Sequence, residues 1–281
     1  MSNPTLQEKT EVIAASMRGL GRLGVAFSGG VDSSVLLALA VDALGTTGVV
    51  PILGVSPSLA ARERRAAHRV AEAIGVRVVE IETHEMDRTA YRANGVDRCF
   101  HCKDELFSLI RDDLVSELGL DAVAYGENHD DSLRPDRPGA GAAAQHRVLH
   151  PLAAAGLSKA EVRTIARDRG LPCADKPAAP CLASRIPHHQ EVTVRKLAQV
   201  EQTEDALVEL GLSESRVRHH GDIARIEVPV ALLARAAALH TEITSRVRAA
   251  GFRYVTLDLS GLQSGSFTLH ELGASQEVAR G

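Results

Sequence analysis

The sequence predicts an α/β protein: a doubly wound parallel sheet joined to a second, smaller α+β domain. Three observations predict it. Short apolar runs alternate with segments of helical period over most of the chain, the signature of a parallel sheet with helices on both faces. Hydrophobic residues make up 44% but aromatics only 3%, with no Trp, so the core must be Ala, Val, Leu and Ile, which suits helices on a parallel sheet. A Gly/Ser turn, Phe27-Ser28-Gly29-Gly30-Val31-Asp32-Ser33-Ser34, separates an apolar run from a helical one.

In chain order, residues 7–20 read as an amphipathic helix and 23–27 as a first buried strand. The helix behind the Gly/Ser turn contains Val35-Leu36-Leu37-Ala38-Leu39-Ala40. Residues 49–55 form a second strand, ended by Ser56-Pro57-Ser58. Residues 59–74 are helical in period with Gly75 as the stop, and 77–83 are a third strand. A helix over 103–118 leads to a fourth strand at 122–126, which delivers the loop Gly126-Glu127-Asn128-His129-Asp130-Asp131. Residues 135–144, rich in Gly, Ala and Pro, are expected to be a mobile loop. Ser158, with Glu161 three residues on, opens a helix to residue 169. Composition changes after Pro187, which divides the chain into a nucleotide domain at 1–187 and a smaller substrate or oligomerisation domain at 188–281. In the second, 191–210 and 231–250 read as helices, His219-His220-Gly221-Asp222 as a turn, 224–228 and 254–259 as strands, and the tail after Leu269 as frayed.

The formal net charge of −4 argues against a nucleic-acid footprint over the whole chain, and no apolar run approaches a membrane span. The first residues do not read as a signal peptide, so a cytoplasmic location is expected. There, four cysteines are thiols, metal ligands or catalysts rather than disulfides.

The Gly/Ser turn carries the strongest chemistry. Two glycines let the backbone approach a phosphate, and the helix behind them aims free N–H groups and its positive dipole end at it. Ser28, Gly29, Gly30, Val31, Asp32, Ser33 and Ser34 are the expected nucleotide-binding residues, with Asp32 able to hold a magnesium ion on the phosphates. No Gly-x-x-x-x-Gly-Lys-Ser/Thr is present, so this is not the ordinary P-loop. Ser-Gly-Gly-x-Asp-Ser instead resembles the PP-loop of ATP pyrophosphatases, which cleave ATP between the α and β phosphates to form an adenylate. Ser28, Ser56 and Gly126 all fall at carboxyl ends of strands, so they converge on one ATP site, with backbone groups of Val55 and Ser56 placed to read adenine.

Cys99 and Cys102 form a Cys-x-x-Cys pair at a helix start, for which structural zinc, redox and cluster roles all stay open. Cys181 as a third ligand leaves one metal position open, a reactive arrangement, while Cys173 reads as a buried small hydrophobe. Lys176 and Arg185 flank Cys181 in sequence and bring positive charge that favours a thiolate nucleophile, and Arg185 is also expected to bind substrate. Arg216, Arg218 and Arg225 alternate with apolar residues, as expected of strand faces that take the phosphate and carboxylates of a substrate. Glu227 binds a metal or pairs with an arginine, and Asp130 and Asp131 can assist magnesium.

Together, Ser28 to Ser34, Arg98-Cys99-Phe100-His101-Cys102-Lys103, the loop from Gly126, Arg137-Pro138-Gly139, Asp175-Lys176-Pro177, Cys181-Leu182-Ala183-Ser184-Arg185, Arg216-Val217-Arg218-His219-His220-Gly221 and Ala224-Arg225-Ile226-Glu227-Val228 resemble the LarE family of ATP-dependent sulfur transferases, over about residues 10–260. The resemblance implies a homo-oligomeric enzyme of nickel-pincer nucleotide biosynthesis that uses ATP and Mg²⁺. Its substrate would be pyridinium-3,5-biscarboxylic acid mononucleotide, whose carboxylates are adenylated and then converted to thiocarboxylates. It also implies two versions of the sulfur source. In one, Cys181 is sacrificed and becomes dehydroalanine. In the other, Cys99, Cys102 and Cys181 hold a [4Fe–4S] cluster whose fourth iron carries the hydrosulfide; this chain's cysteines favour that version. His188 and His189 stand where the family resemblance implies Tyr-Gly. The competing readings are another PP-loop enzyme, either an amidotransferase or a tRNA thiolase, and a non-catalytic ATP sensor with zinc on Cys99 and Cys102.

Overall fold

The computed structural model describes residues 4–134, 138–177 and 180–262. The chain splits into two compact units, one of Met1–Glu85 and Cys99–Ala179, the other of Met86–Arg98 and Pro180–Gly281. The line drawn at residue 187 falls inside the second unit. The reason is a set of side-chain bonds that composition does not register: Asn94 Nδ2 donates to the carbonyls of Pro187 and Gln190 at 2.7 and 3.0 Å. The expected frayed tail and residues 135–137 lie outside the described residues.

In the first unit, β1 (Leu23–Ala26), β2 (Val49–Val55), β3 (Val79–Glu82) and β4 (Ala122–Tyr125) form a parallel sheet in the order β3-β2-β1-β4. The chain steps outward from β1 to β3, then returns to the other side of β1 for β4, so the switch point lies at the carboxyl ends of β1 and β4. One face is covered by α1 (Leu6–Met17), α2 (Val31–Leu44), α3 (Ala61–Ile74) and, later in the chain, Lys159–Asp168; their core includes Met17, Val25, Leu36, Ala67 and Ile165. The other face is covered by α4 (Arg98–Leu109), which continues through a π-helical turn at Ile110–Leu114, and by α5 (Pro138–Gln145). Helix Lys159–Asp168 is α6, and it carries the expected capping box of Ser158 and Glu161. Gly75 ends α3 in the left-handed conformation, φ 92°.

Two expectations change here. The helix predicted from residue 103 starts at Arg98, which puts Cys99 and Cys102 in its opening turns on one face. Most of the expected loop at 135–144 is α5, because Ala142 and Ala143 are buried in the cluster of Phe107 and Ile110, and tertiary burial supports a helix that Gly-rich composition does not favour.

In the second unit, β5 (Arg216–His220), β6 (Ile223–Glu227) and β7 (Tyr254–Leu257) form a three-stranded sheet, with β5 and β6 antiparallel and β6 and β7 parallel. Helices α7 (Val194–Glu209), α8 (Leu233–Ala238) and α9 (His240–Ala249) pack against it; the single helix expected at 231–250 is broken at Leu239. His219 and His220 belong to β5, not to the turn, which is made by Gly221 and Asp222. Strand alternation then sorts the sheet: Val217, Ala224 and Ile226 enter the apolar core, while Arg216 stands opposite Glu227, and Arg218 opposite Arg225, on the other face.

Candidate functional site

The Gly/Ser turn leaves β1 at the switch point and enters α2. Gly29 takes φ +69°, and a Cβ there would lie 2.7 Å from Ala67 Cα on α3, so only glycine fits the bend. Gly30 is the N-cap of α2 and offers no side-chain cap. The first-turn N–H groups of Val31, Asp32 and Ser33 have no partner within the helix, an arrangement that fits a phosphate group. Ser33 and Ser34 brace the turn from within: their hydroxyls donate to the Gly30 carbonyl at 3.1 and 2.8 Å, and Ser28 Oγ lies 3.2 Å from Ser33 Oγ. Gly126, at the end of β4, is packed on the same turn, since a Cβ there would sit 2.5 Å from Ser33 N. Its absence of a side chain lets β4 meet α2.

Asp32 is engaged through both oxygens. Asn128 Nδ2 donates to one at 3.1 Å, and Lys159, the first residue of α6, forms an ion pair with the other. A magnesium ion on Asp32 would replace Lys159. Neither Asn128 nor Lys159 was singled out as a site residue from sequence; the cap motif at Ser158 marks a helix start, and a lysine just behind a cap at a strand-end crevice was the available signal. Asp130 accepts from Lys159 N at 2.8 Å and Asp131 accepts from Asn128 Nδ2 at 2.9 Å, so both acids brace this corner. At the neighbouring strand ends, the Val55 carbonyl accepts from Thr83 N at 3.0 Å, and Ser56 Oγ donates to the buried Glu85.

In the second unit, Cys181 is exposed and opens a short 3₁₀ turn, Leu182–Arg185. Arg185 is only 3% exposed. Its Nε donates to Glu204 Oε1 at 2.9 Å, and its Nη1 donates to the Pro180 carbonyl at 2.6 Å and to Ser184 Oγ at 2.9 Å. Arg185 thus positions the Cys181 turn rather than facing a substrate. Lys176 pairs with Glu63 at 2.6 Å, so its charge too is committed. Arg218 grips Glu227 through two bonds of 3.0 and 2.9 Å and donates to the Ser184 carbonyl at 3.2 Å. Arg225 shares Glu227 Oε1 with Arg218, at 3.0 Å, and lies 3.6 Å from Asp258. Glu227 is an anchor for arginines: its oxygens are occupied, which does not suit a metal ligand. Arg216 is buried, and desolvation, then Arg185 and Arg218, hold its pKa below the ordinary arginine value. Glu227 and Glu204 act on it in the opposite direction.

A model of asparagine synthase matches residues 10–114, which hold the PP-loop strand and helix. The chain is 33% identical over 261 residues to pyridinium-3,5-bisthiocarboxylic acid mononucleotide synthase of Lactiplantibacillus plantarum, covering 93% of this chain and 94% of that protein. The chain belongs to the LarE family. Uncharacterized proteins of Synechocystis sp., 41% identical over 92% of this chain and 97% of theirs, and of Methanocaldococcus jannaschii, 25% identical over 84% and 88%, are similar along most of their length.

As a LarE-family PP-loop protein, the chain uses ATP, and its cradle of main-chain donors fits the phosphates. Of its cysteines, Cys173 is buried in the apolar core of the first unit, Cys99 and Cys181 are exposed, and Cys102 is half-buried. Among the described residues no three His, Cys, Asp or Glu side chains are gathered to hold a metal ion, and no helix is long and apolar enough to cross a membrane. Arg98, the residue before Cys99, is buried and donates to the Ala183 carbonyl at 3.0 Å, two residues past Cys181.

Proposed function

We propose that this chain is an ATP-dependent sulfur transferase acting on pyridinium-3,5-biscarboxylic acid mononucleotide, in nickel-pincer nucleotide biosynthesis. A substrate carboxylate oxygen attacks the α-phosphorus of ATP; the Pα–O bond to the β-phosphate breaks and pyrophosphate leaves. A sulfur nucleophile then attacks the adenylated carbonyl carbon and AMP departs, leaving a thiocarboxylate. The first-turn N–H groups of α2 hold phosphate charge, Lys159 supplies a cation beside them, and Mg²⁺ bound with ATP would neutralise further charge with Asp32 as its protein ligand. Arg216 and Arg225 bind the anionic groups of the mononucleotide, while Arg218, buried on Glu227 and the Ser184 carbonyl, frames the face rather than meeting substrate.

The observation that carries this reading is the exposed Cys181 on a turn clamped by a buried arginine. Two sulfur sources agree with it. If Cys181 is the donor, its thiolate forms the thioester; loss of the Cα proton then breaks Cβ–S and leaves dehydroalanine. If Cys99, Cys102 and Cys181 hold a [4Fe–4S] cluster, the cluster supplies a hydrosulfide. The cluster version is the one that the sequence pattern, a Cys-x-x-Cys pair plus one remote cysteine, favours. Anaerobic purification with iron and sulfide analysis tests this: about four of each per chain, lost in Cys99→Ser, supports the cluster. A metal-free protein whose intact mass falls by one H₂S after turnover supports sacrifice. Stoichiometric zinc with no pyrophosphate release contradicts both and supports the sensor. We extend the reading to a cytoplasmic homo-oligomer, which light scattering of the purified chain would check.

A further inference from the structure

A second basic site lies on α3, away from the residues assigned above. A groove of about 470 Å³ is lined by Ala61, Arg64, Arg65, His68 and Arg69. Glu80 on β3 serves two of these cations: Arg64 Nε donates to it at 2.7 Å and His68 Nε2 lies 2.7 Å away. The Arg64 and His68 bonds hold the Glu80 carboxyl down at about 2, so it is ionised and its charge is spent on them. Arg65 and Arg69 have no carboxylate partner among the described residues. They stand at i and i+4, where like charges repel and destabilise a helix. In a chain of net charge −4, two unpaired arginines held side by side against that cost call for an anion.

Helix α3 starts at the carboxyl edge of the sheet, directly after β2, and its Ala67 is the residue against which Gly29 of the PP-loop packs. Arg65 and Arg69 lie two residues either side of Ala67, about half a turn around α3, so they face solvent on the side away from the PP-loop. We propose that this groove binds a pyrophosphate group, as a second site for the product of the PP-loop. Arginine forks match phosphate oxygens in pairs, and two of them flanking one groove suit two linked phosphates better than one. The chain lacks Trp and has few other aromatics, so the groove has no stacking platform for a nucleic-acid base. The proposal rests on the PP-loop cleaving ATP to AMP and pyrophosphate.

The test is calorimetric titration of the full chain with inorganic pyrophosphate, and in a second arm with a non-hydrolysable ATP analogue. The wild type should bind pyrophosphate at the PP-loop and at the groove. Arg65→Glu/Arg69→Glu should lose the groove equivalent or weaken it about a hundredfold, with the PP-loop equivalent kept. Arg65→Gln/Arg69→Gln, which removes charge without reversing it, should weaken it less, and circular dichroism should show both variants folded. Loss in the pyrophosphate arm alone identifies free product; loss in both arms identifies a nucleotide's phosphate tail at the same groove. A wild type with a single equivalent that both variants leave intact overturns the inference. Pyrophosphate release from ATP is measured separately by a coupled assay, and its absence would refute the ATP-cleaving reading whatever the titration shows.

Discussion

The two candidate binding regions of this molecule are built by opposite means. In the first unit, the PP-loop is made of main chain: a positive-φ glycine, a helix start with no side-chain cap, and Gly126 packed on Ser33. In the second, the arginine face is made of side chains, held in place by buried carboxylates: Glu204 on Arg185, Glu227 on Arg218 and Arg225. The difference teaches where each site is fragile. A main-chain cradle fails when a side chain is added; a buried ion-pair frame fails when one charge is removed.

The second failure should be the larger. Glu204 is fully buried and also accepts from Val217 N at 3.1 Å. Glu204→Gln leaves Arg185 buried without its counter-charge and should cost about 4 kcal/mol in urea unfolding. The double variant Glu204→Gln/Arg185→Met should recover part of that, because neither charge then remains; no recovery would show that the pair is not the unit of stability.

The same unit should respond to acid. Burial holds the His219 pKa down at about 4, with Lys196 adding to it, and the ring packs 5.0 Å from Phe252. The unfolded chain then binds more protons than the folded one between the ordinary histidine value and about 4, so the His219 contribution is complete above that ordinary value. It is lost as pH falls through the window, by about 3 kcal/mol in all. Urea midpoints should fall with pH across it, and His219→Gln should flatten the slope. An equal slope in the variant would place the acid sensitivity elsewhere.

The main-chain region should fail by addition. Gly126→Ala puts a Cβ onto Ser33 N and should cost about 2 kcal/mol, with ATP affinity, read by calorimetry, falling further than stability. Normal ATP binding in that variant would break the comparison. The smallest expected effect is Ser158→Ala, which removes the cap of α6 and should cost about 1 kcal/mol while leaving ATP affinity near the wild-type value.

The contrast also explains what was legible in the sequence. Main-chain sites need particular residues at fixed spacing, so the glycines and serines of residues 28–34 could be read directly, as could the strands, the Ser158 cap and the Gly75 stop. Gly126 was read as a strand end that converges with Ser28 and Ser56 on the ATP site; that it packs on Ser33 itself needed the fold. Side-chain frames depend on partners far apart in sequence. Arg185 looked like a substrate residue because Glu204, nineteen positions on, is invisible as its partner without the packing of α7. Asp32 looked free for a metal because Lys159 is 127 residues away. The helix Pro138–Gln145 was hidden by Gly and Pro content, and only burial against Phe107 supports it.

The most direct measurement of the central claim is single-turnover mass spectrometry. The purified chain is incubated anaerobically with ATP, Mg²⁺ and pyridinium-3,5-biscarboxylic acid mononucleotide, beside Cys181→Ala. The account predicts AMP, pyrophosphate and a product in which sulfur replaces carboxylate oxygen from the wild type. It predicts AMP and pyrophosphate without the sulfur product from Cys181→Ala. A sulfur-bearing product from Cys181→Ala, or no AMP from the wild type, would contradict it.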